Sequence, residues 1–195
     1  MHLMRISTSL LLFTIVGCKD DGSPVAPVRE PSNLVINGSF EVNGNPTLEG
    51  WTGKFDPDTT LKACYTFTND VPAGGGNWSF AFENPAQDLW LRTHISAPGQ
   101  FCGYRLAFWA KSTVVFTEAS LLVSSSGSQT ASGKRITIRD SVWRQYSVAI
   151  GVGDTSLYED FTDSIRILQI ELRCSHNPSV IGRAQFDDLR LSKLE

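Results

Sequence analysis

Histidine is scarce: the 195-residue chain holds 3, and His2 lies at its very start. That leaves His94 and His176 as the imidazoles of the body. No Gly-x-Ser-x-Gly elbow occurs, so an esterase-type serine nucleophile has no support. His-Glu-x-x-His, Cys-x-x-Cys and a phosphate-cradling glycine loop are missing as well. The run Gly74–Gly76 has no lysine after it and leads into a strand-like segment, so it reads as a turn. A basic excess is also missing, with 17 Lys and Arg against 20 Asp and Glu and a formal charge of -3. Nucleic acid is therefore a poor candidate partner. No segment keeps a helical period over three turns with capping residues. A carboxylate pair for glycoside hydrolysis is left open, because Glu83 and Glu171 could face one cleft.

Hydrophobic residues make up 41% of the chain and charged residues 19%, a globular composition. The N-terminus reads as an address. Arg5 precedes an apolar core that includes Leu10, Leu11, Leu12, Phe13, Ile15 and Val16. That core is shorter than the roughly 20 residues a bilayer span needs and has the proportions of a secretory h-region. It ends at Ile15-Val16-Gly17-Cys18, which looks like a bacterial lipobox. Small residues there admit a peptidase, and the Cys18 thiol takes a diacylglycerol. The other account is an ordinary signal peptide cut elsewhere beside an incidental cysteine. Residues 19–32 hold three prolines, Pro24, Pro27 and Pro31, with mixed charges, and read as a flexible stalk. Lys19 stands where inner-membrane retention takes an aspartate. The run Cys18-Lys19-Asp20-Asp21 resembles the signal that sends Bacteroidetes lipoproteins to the cell surface. The expected division is a signal peptide over 1–17, a lipidated Cys18 and stalk over 18–32, and one domain over 33–195. The expected location is the bacterial outer membrane, lipid-anchored and facing outward.

The body reads as strands. Runs are expected at 33–40, 62–68, 78–83, 89–96, 104–110, 119–124, 135–138, 143–150, 165–173 and 184–192. Breakers such as Gly74–Asn77, Ala97-Pro98-Gly99 and Gly151–Asp154 separate them. Tyr104, Leu106, Phe108 and Ala110 alternate with Arg105, Ala107 and Trp109; Leu168, Ile170 and Leu172 alternate with Gln169, Glu171 and Arg173. Period two with one polar face means antiparallel sheets packed on a core. The fold class is all-β, and short strands at this spacing imply a two-sheet β-sandwich.

The motifs sharpen this. Asn33–Glu41 is followed by Gly50-Trp51, then Gly76–Phe80, then Pro98-Gly99 and Tyr104–Lys111, then Trp143–Tyr146, and finally Phe186–Leu191. In that order the chain resembles the carbohydrate-binding modules of families 4, 9 and 22, jelly rolls of the galactose-binding-like fold. The resemblance implies that the strands at Asn33 and Phe186 pair in one sheet. It implies a second sheet of 78–83, 165–173, 104–110 and 119–124 in that spatial order, with Phe80, Phe82, Leu106, Phe108, Leu168, Ile170 and Leu172 turned inward. It also implies a structural calcium where the first and last strands meet. Glu41 and Asp187 would be its carboxylates, with backbone carbonyls near Ser39 and Trp78, since hard cations take oxygen ligands. The family's further acid before the Gly-Asn step is replaced here by glycine. The other account is that Asp187 caps a strand.

The outer face of that second sheet is the expected ligand site. There Trp109 and Arg105 would lie beside Gln169, Glu171 and Arg173, a flat ring to stack on a sugar with polar groups to bond its hydroxyls. The other account is a solvated face with weak cross-strand ion pairs. Trp51 and Trp143 match core positions of the family; Trp90 and Tyr65 are unassigned, and either could rim a cleft. In the same sheet Cys102 and Cys174 would meet at one edge, close enough for a disulfide, which needs Cα atoms within about 7 Å. Cys64 is left buried or odd. The resemblance implies non-catalytic binding of a polysaccharide or oligosaccharide. A structural or adhesive lipoprotein holding a protein of the cell surface is the second reading, and a small polysaccharide-active enzyme the third.

Overall fold

The computed structural model describes residues 33–54, 64–83, 88–96, 103–125, 132–151, 165–175 and 182–194. Among them there is no helix. The strands are β1 (Glu41–Val42), β2 (Asn45–Pro46), β3 (Thr52–Lys54), β4 (Tyr65–Thr68), β5 (Ser79–Glu83), β6 (Leu89–Ser96), β7 (Gly103–Ser112), β8 (Thr117–Ser125), β9 (Ser132–Ile138), β10 (Arg144–Gly151), β11 (Ile165–Cys174) and β12 (Arg183–Lys193). The signal segment, Cys18, the stalk, Cys102 and His176 lie outside the described residues.

Two five-stranded antiparallel sheets result, in the orders β10-β7-β12-β5-β4 and β3-β6-β11-β8-β9. Alternation sets which side chains meet between them. From the first sheet Tyr104, Leu106, Phe108 and Ala110 of β7 are at most 1% exposed; from the second, Leu168, Ile170 and Leu172 of β11 are fully buried. Each such Leu or Phe contributes roughly 1.5–3 kcal/mol of burial. An aromatic chain runs through the core. Phe80 packs edge-on to Phe82 with ring centres 4.8 Å apart, Phe40 lies 5.3 Å from both Phe80 and Trp51, and Phe108 stacks on Tyr146 at 5.7 Å. All seven side chains expected to face inward are buried.

The expected sheet membership is corrected. β5 and β7 do not flank β11; both flank β12, where Phe186 is opposite Phe80 on one side and Ala110 on the other. β11 lies between β6 and β8. Alternation reports which face of a strand is buried and leaves open which sheet it joins, because the two inner faces are chemically alike.

The segment 33–40 is a series of turns, not the expected strand. Asn33 takes over the ladder's work with its side chain, accepting from Val35 N and Leu191 N and donating to Leu189 O at 2.9–3.0 Å. Leu34 N donates to Leu191 O and Leu189 N to Gly38 O, both at 2.9 Å, so the segment is still tied to β12. Gly38 is required there: a Cβ would lie 2.0 Å from Leu189 O.

The expected Cys102–Cys174 bridge is also corrected. Its premise fails, since β7 and β11 belong to different sheets. Cys174 carries a free, buried thiol 3.8 Å from Thr117 Oγ1. Burial pushes it up to about 11.

Candidate functional site

Two places gather charge. The first is where the N-terminal turns meet β12. A register shift between Asp187 and Arg190 bulges β12, and Asp188 takes a positive φ of 50°. Asp187 is wholly buried; its Oδ1 accepts from Asp188 N at 2.7 Å, and its Oδ2 has no hydrogen-bond partner. Burial first, then the charges of Asp188 and Glu41, push its carboxyl up to about 7. Glu41 Oε2 accepts from Asn77 N at 2.9 Å. The two carboxylates press on adjacent glycines, one on each. A Cβ on Gly75 would lie 2.8 Å from Asp187 Oδ2, and one on Gly76 would lie 2.2 Å from Glu41 Oε1. An orphaned buried carboxylate oxygen beside a second carboxylate fits a hard cation. Ser39 precedes Glu41 by two residues and Trp78 follows Asn77, so the expected carbonyl donors belong to the same turns. Among the described residues no group of three or more His, Cys, Asp or Glu could hold a metal, so carbonyls would have to complete the shell.

The second place is the outer face of the β6–β11 pair. Leu89, Leu91 and Thr93 of β6 point inward and are buried, which turns Trp90, Arg92 and His94 outward. Register sets them opposite Arg173, Glu171 and Gln169. Two rows hold a polar contact of their own, and Arg173 reaches Asp88, which precedes β6. Arg92 Nε donates to Glu171 Oε2 at 2.5 Å, and its guanidinium carbon lies 4.0 Å over the Trp90 ring. Arg173 Nη2 donates to Asp88 Oδ2 at 2.8 Å. His94 Nε2 and Gln169 Oε1 are 3.1 Å apart. Asp88, Trp90, Arg92, Glu171 and Arg173 line an open pocket of about 270 Å³. Asp88's hydrogen bond, then its charge and those of Glu171 and Glu118, raise the Arg173 guanidinium further above its ordinary value.

Of the ligand residues expected from sequence, this face gathers Gln169, Glu171 and Arg173. Trp109 and Arg105 are corrected: they lie on the outer face of the other sheet, where Trp109 is opposite Gln145 and Asp187. Sequence reasoning missed Arg92, His94 and Asp88 and left Trp90 unassigned. The alternation of β6 does mark its outward side chains, but only the β6–β11 register brings them to Glu171. Tyr65 packs on Phe67 and Phe80 at 6.2 and 5.9 Å.

Glu83 and Glu171 do not share a cleft. Glu83 belongs to the first sheet and pairs with Arg183, while Glu171 faces out from the second. Trp51 is core as expected, with its Nε1 donating to Asn37 O at 3.0 Å. Trp143 is half-buried at the surface, corrected from core; its Nε1 donates to Asp70 Oδ1 at 3.0 Å under the Lys111 ammonium.

No protein-family model and no curated protein match the chain. Solved structures do. A family 61 carbohydrate-binding module, solved with β-1,4-galactotriose, matches with a TM-score of 0.55 and 15% identity over 84% of this chain and 99% of that one. A family 16 carbohydrate-binding module matches with a TM-score of 0.55 and 17% identity over 83% of this chain and 100% of that one. The fold is a jelly roll shared with carbohydrate-binding modules. A cyclase from Fischerella sp. TAU, solved with 4-(1H-indol-3-yl)butan-2-one, matches as well, with a TM-score of 0.54 and 14% identity over 84% of this chain and 100% of that one. At these identities the likeness is one of fold, and the jelly roll by itself does not choose a function.

Proposed function

We propose that the chain is a non-catalytic glycan-binding module acting through the outer face of β6 and β11. The observation that carries this reading is the pocket beside Trp90, where two guanidinium groups and two carboxylates converge on an open sheet face. Sugar hydroxyls need donors and acceptors held in place, and ion-paired side chains are held in place. The fold's occurrence among carbohydrate-binding modules supports the reading. A polysaccharide array probed with the full chain and with Arg173→Ala tests it. Binding to at least one polysaccharide, lost in the variant, is expected; silence across the array for a folded wild type overturns it.

Glu41 and Asp187 would hold calcium with the carbonyls near Ser39 and Trp78. That ion would tie the N-terminal turns to β12 and supply no chemistry. Cys18 would carry the lipid that anchors the module to the outer face of a bacterial outer membrane. Globomycin-sensitive processing and labelling with a radioactive fatty acid test the anchor; a Cys18→Ala chain that still takes the label overturns it.

A second reading, adhesion to a cell-surface protein, has one observation in its favour. Val115, Phe116 and Val142 are 55%, 56% and 58% exposed in two turns joined by the Ser112 N to Asp140 O bond.

A further inference from the structure

We infer that the ligand of the β6–β11 face is an uncharged glycan, and that Asp88 and Glu171 are the residues that exclude acidic ones. The inference rests on the glycan-binding reading and narrows it to a substrate class.

Each guanidinium of the pocket already has a carboxylate. Arg92 is committed to Glu171, whose side chain is only 7% exposed, and Arg173 to Asp88. The two charges of each sign among the lining residues cancel. Glu118 of β8 is opposite Arg173 in the register and adds its charge from the other side. The next cation along the same row, Arg135 of β9, is separated from Glu171 by Ser120 of β8. A uronate or sulfate entering here would have to displace a resident carboxylate or lie beside it. Displacing Glu171 would leave a nearly buried charge unpaired, which is strongly unfavourable. Hydroxyls meet no such barrier. A guanidinium has five N–H donors, and a carboxylate has about four acceptor positions, so both pairs keep capacity to spare. A hydroxyl can accept from Arg92 or Arg173 and donate to Glu171 or Asp88 without breaking either pair.

Trp90 takes a different part from the one its residue type suggests. One ring face is covered by the Arg92 guanidinium, which Glu171 pins in place. Trp90 therefore positions Arg92 toward the ligand as well as offering surface of its own.

The test compares β-1,4-galactan, β-glucan and xylan with polygalacturonate and a sulfated glycan, at low and at high salt, using the full chain. Wild type is expected to bind a neutral polymer with an affinity that salt leaves unchanged, and polygalacturonate at least about tenfold more weakly. Asp88→Asn frees the Arg173 charge at an exposed edge. It is expected to gain polygalacturonate binding that salt then abolishes, with circular dichroism reporting an intact fold. Glu171→Gln is the second variant, expected to shift the ratio of acidic to neutral binding the same way. Wild type that prefers polygalacturonate, or an unchanged ratio in both variants, overturns the inference while leaving glycan binding in place. A folded wild type that binds none of these polymers overturns both.

Discussion

Arg92 of β6 lies over Trp90 of the same strand while its Nε bonds Glu171 across the register, so one guanidinium joins an aromatic ring to a nearly buried carboxylate. Removing Arg92 strands Glu171, and an unpaired buried acceptor costs roughly 1–3 kcal/mol. Arg92→Ala is therefore expected to lower stability by about that amount, read by urea unfolding. Arg92→Ala with Glu171→Leu should recover most of the loss, because the stranded charge is gone. Strictly additive costs would show that the pair is not coupled.

The strands were legible because alternation is local, and the sheets were not because pairing is distant. The expected Leu89–Ser96 run coincides with β6, and the inward residues of β7 and β11 were readable from their period of two. Nothing within β5 or β7 says that residues 183–193 will come between them. Trp109 does face outward as its alternation predicts; only the sheet it belongs to differs from the expectation, for that reason. Asn33–Phe40 carries the apolar residues of a strand, yet its asparagines satisfy backbone groups through side chains, an option that period counting does not see. Glu41 and Asp187, separated by most of the chain, are joined by the family's motif order, and they do press on adjacent glycines of one turn, Glu41 on Gly76 and Asp187 on Gly75.

Asp187 makes stability depend on pH. Its folded-state carboxyl is pushed up to about 7 from an ordinary value near 3.8, so between those values the folded chain holds more protons than the unfolded one. Without metal, this group's contribution to stability is full below about pH 4, falls as pH rises toward 7, and is flat beyond. Calcium would reverse the sense, since it binds the ionised form. Melting temperatures at pH 4.5 and 7.5, with calcium or with chelator, should show calcium stabilising far more at the higher pH. Asp187→Asn should remove both the slope and the calcium response. Equal melting temperatures with calcium and chelator at pH 7.5 would count decisively against the metal.

Gly76 sets the same cradle from the other side. A Cβ there would stand 2.2 Å from Glu41 Oε1, so Gly76→Ala must push the carboxylate away or move the turn. Overpacking of this kind costs about 1–3 kcal/mol. The variant is expected to lose calcium stabilisation as well. Gly74→Ala is the comparison: its added Cβ meets nothing within 4 Å, so its penalty comes from the positive φ of 79° alone and calcium stabilisation should survive. Identical calcium responses in the two variants would remove the cradle's role.

Asp70 holds the Pro72–Asn77 turn to the first sheet. Its carboxylate accepts from Lys111 Nζ and Trp143 Nε1, and its backbone carbonyl accepts from Ser79 Oγ at 2.8 Å and Gln185 Nε2 at 3.3 Å. Burial would raise the carboxyl, but the bonds from Lys111 and Trp143 outweigh it and hold Asp70 below its ordinary value. A depressed carboxylate contributes stability above its unfolded value that is lost as pH falls through the folded one, so this contribution is lost on acidification. Asp70→Ala removes the partner of a half-buried indole N–H and of an ammonium resting over the ring. Trp143 emission should move to longer wavelength, and stability should fall by about 1 kcal/mol. The same turn carries Gly75 and Gly76, so the variant should also bind calcium more weakly. An Asp70→Ala chain with unaltered calcium affinity would confine Asp70 to the sheet face and separate it from the cradle.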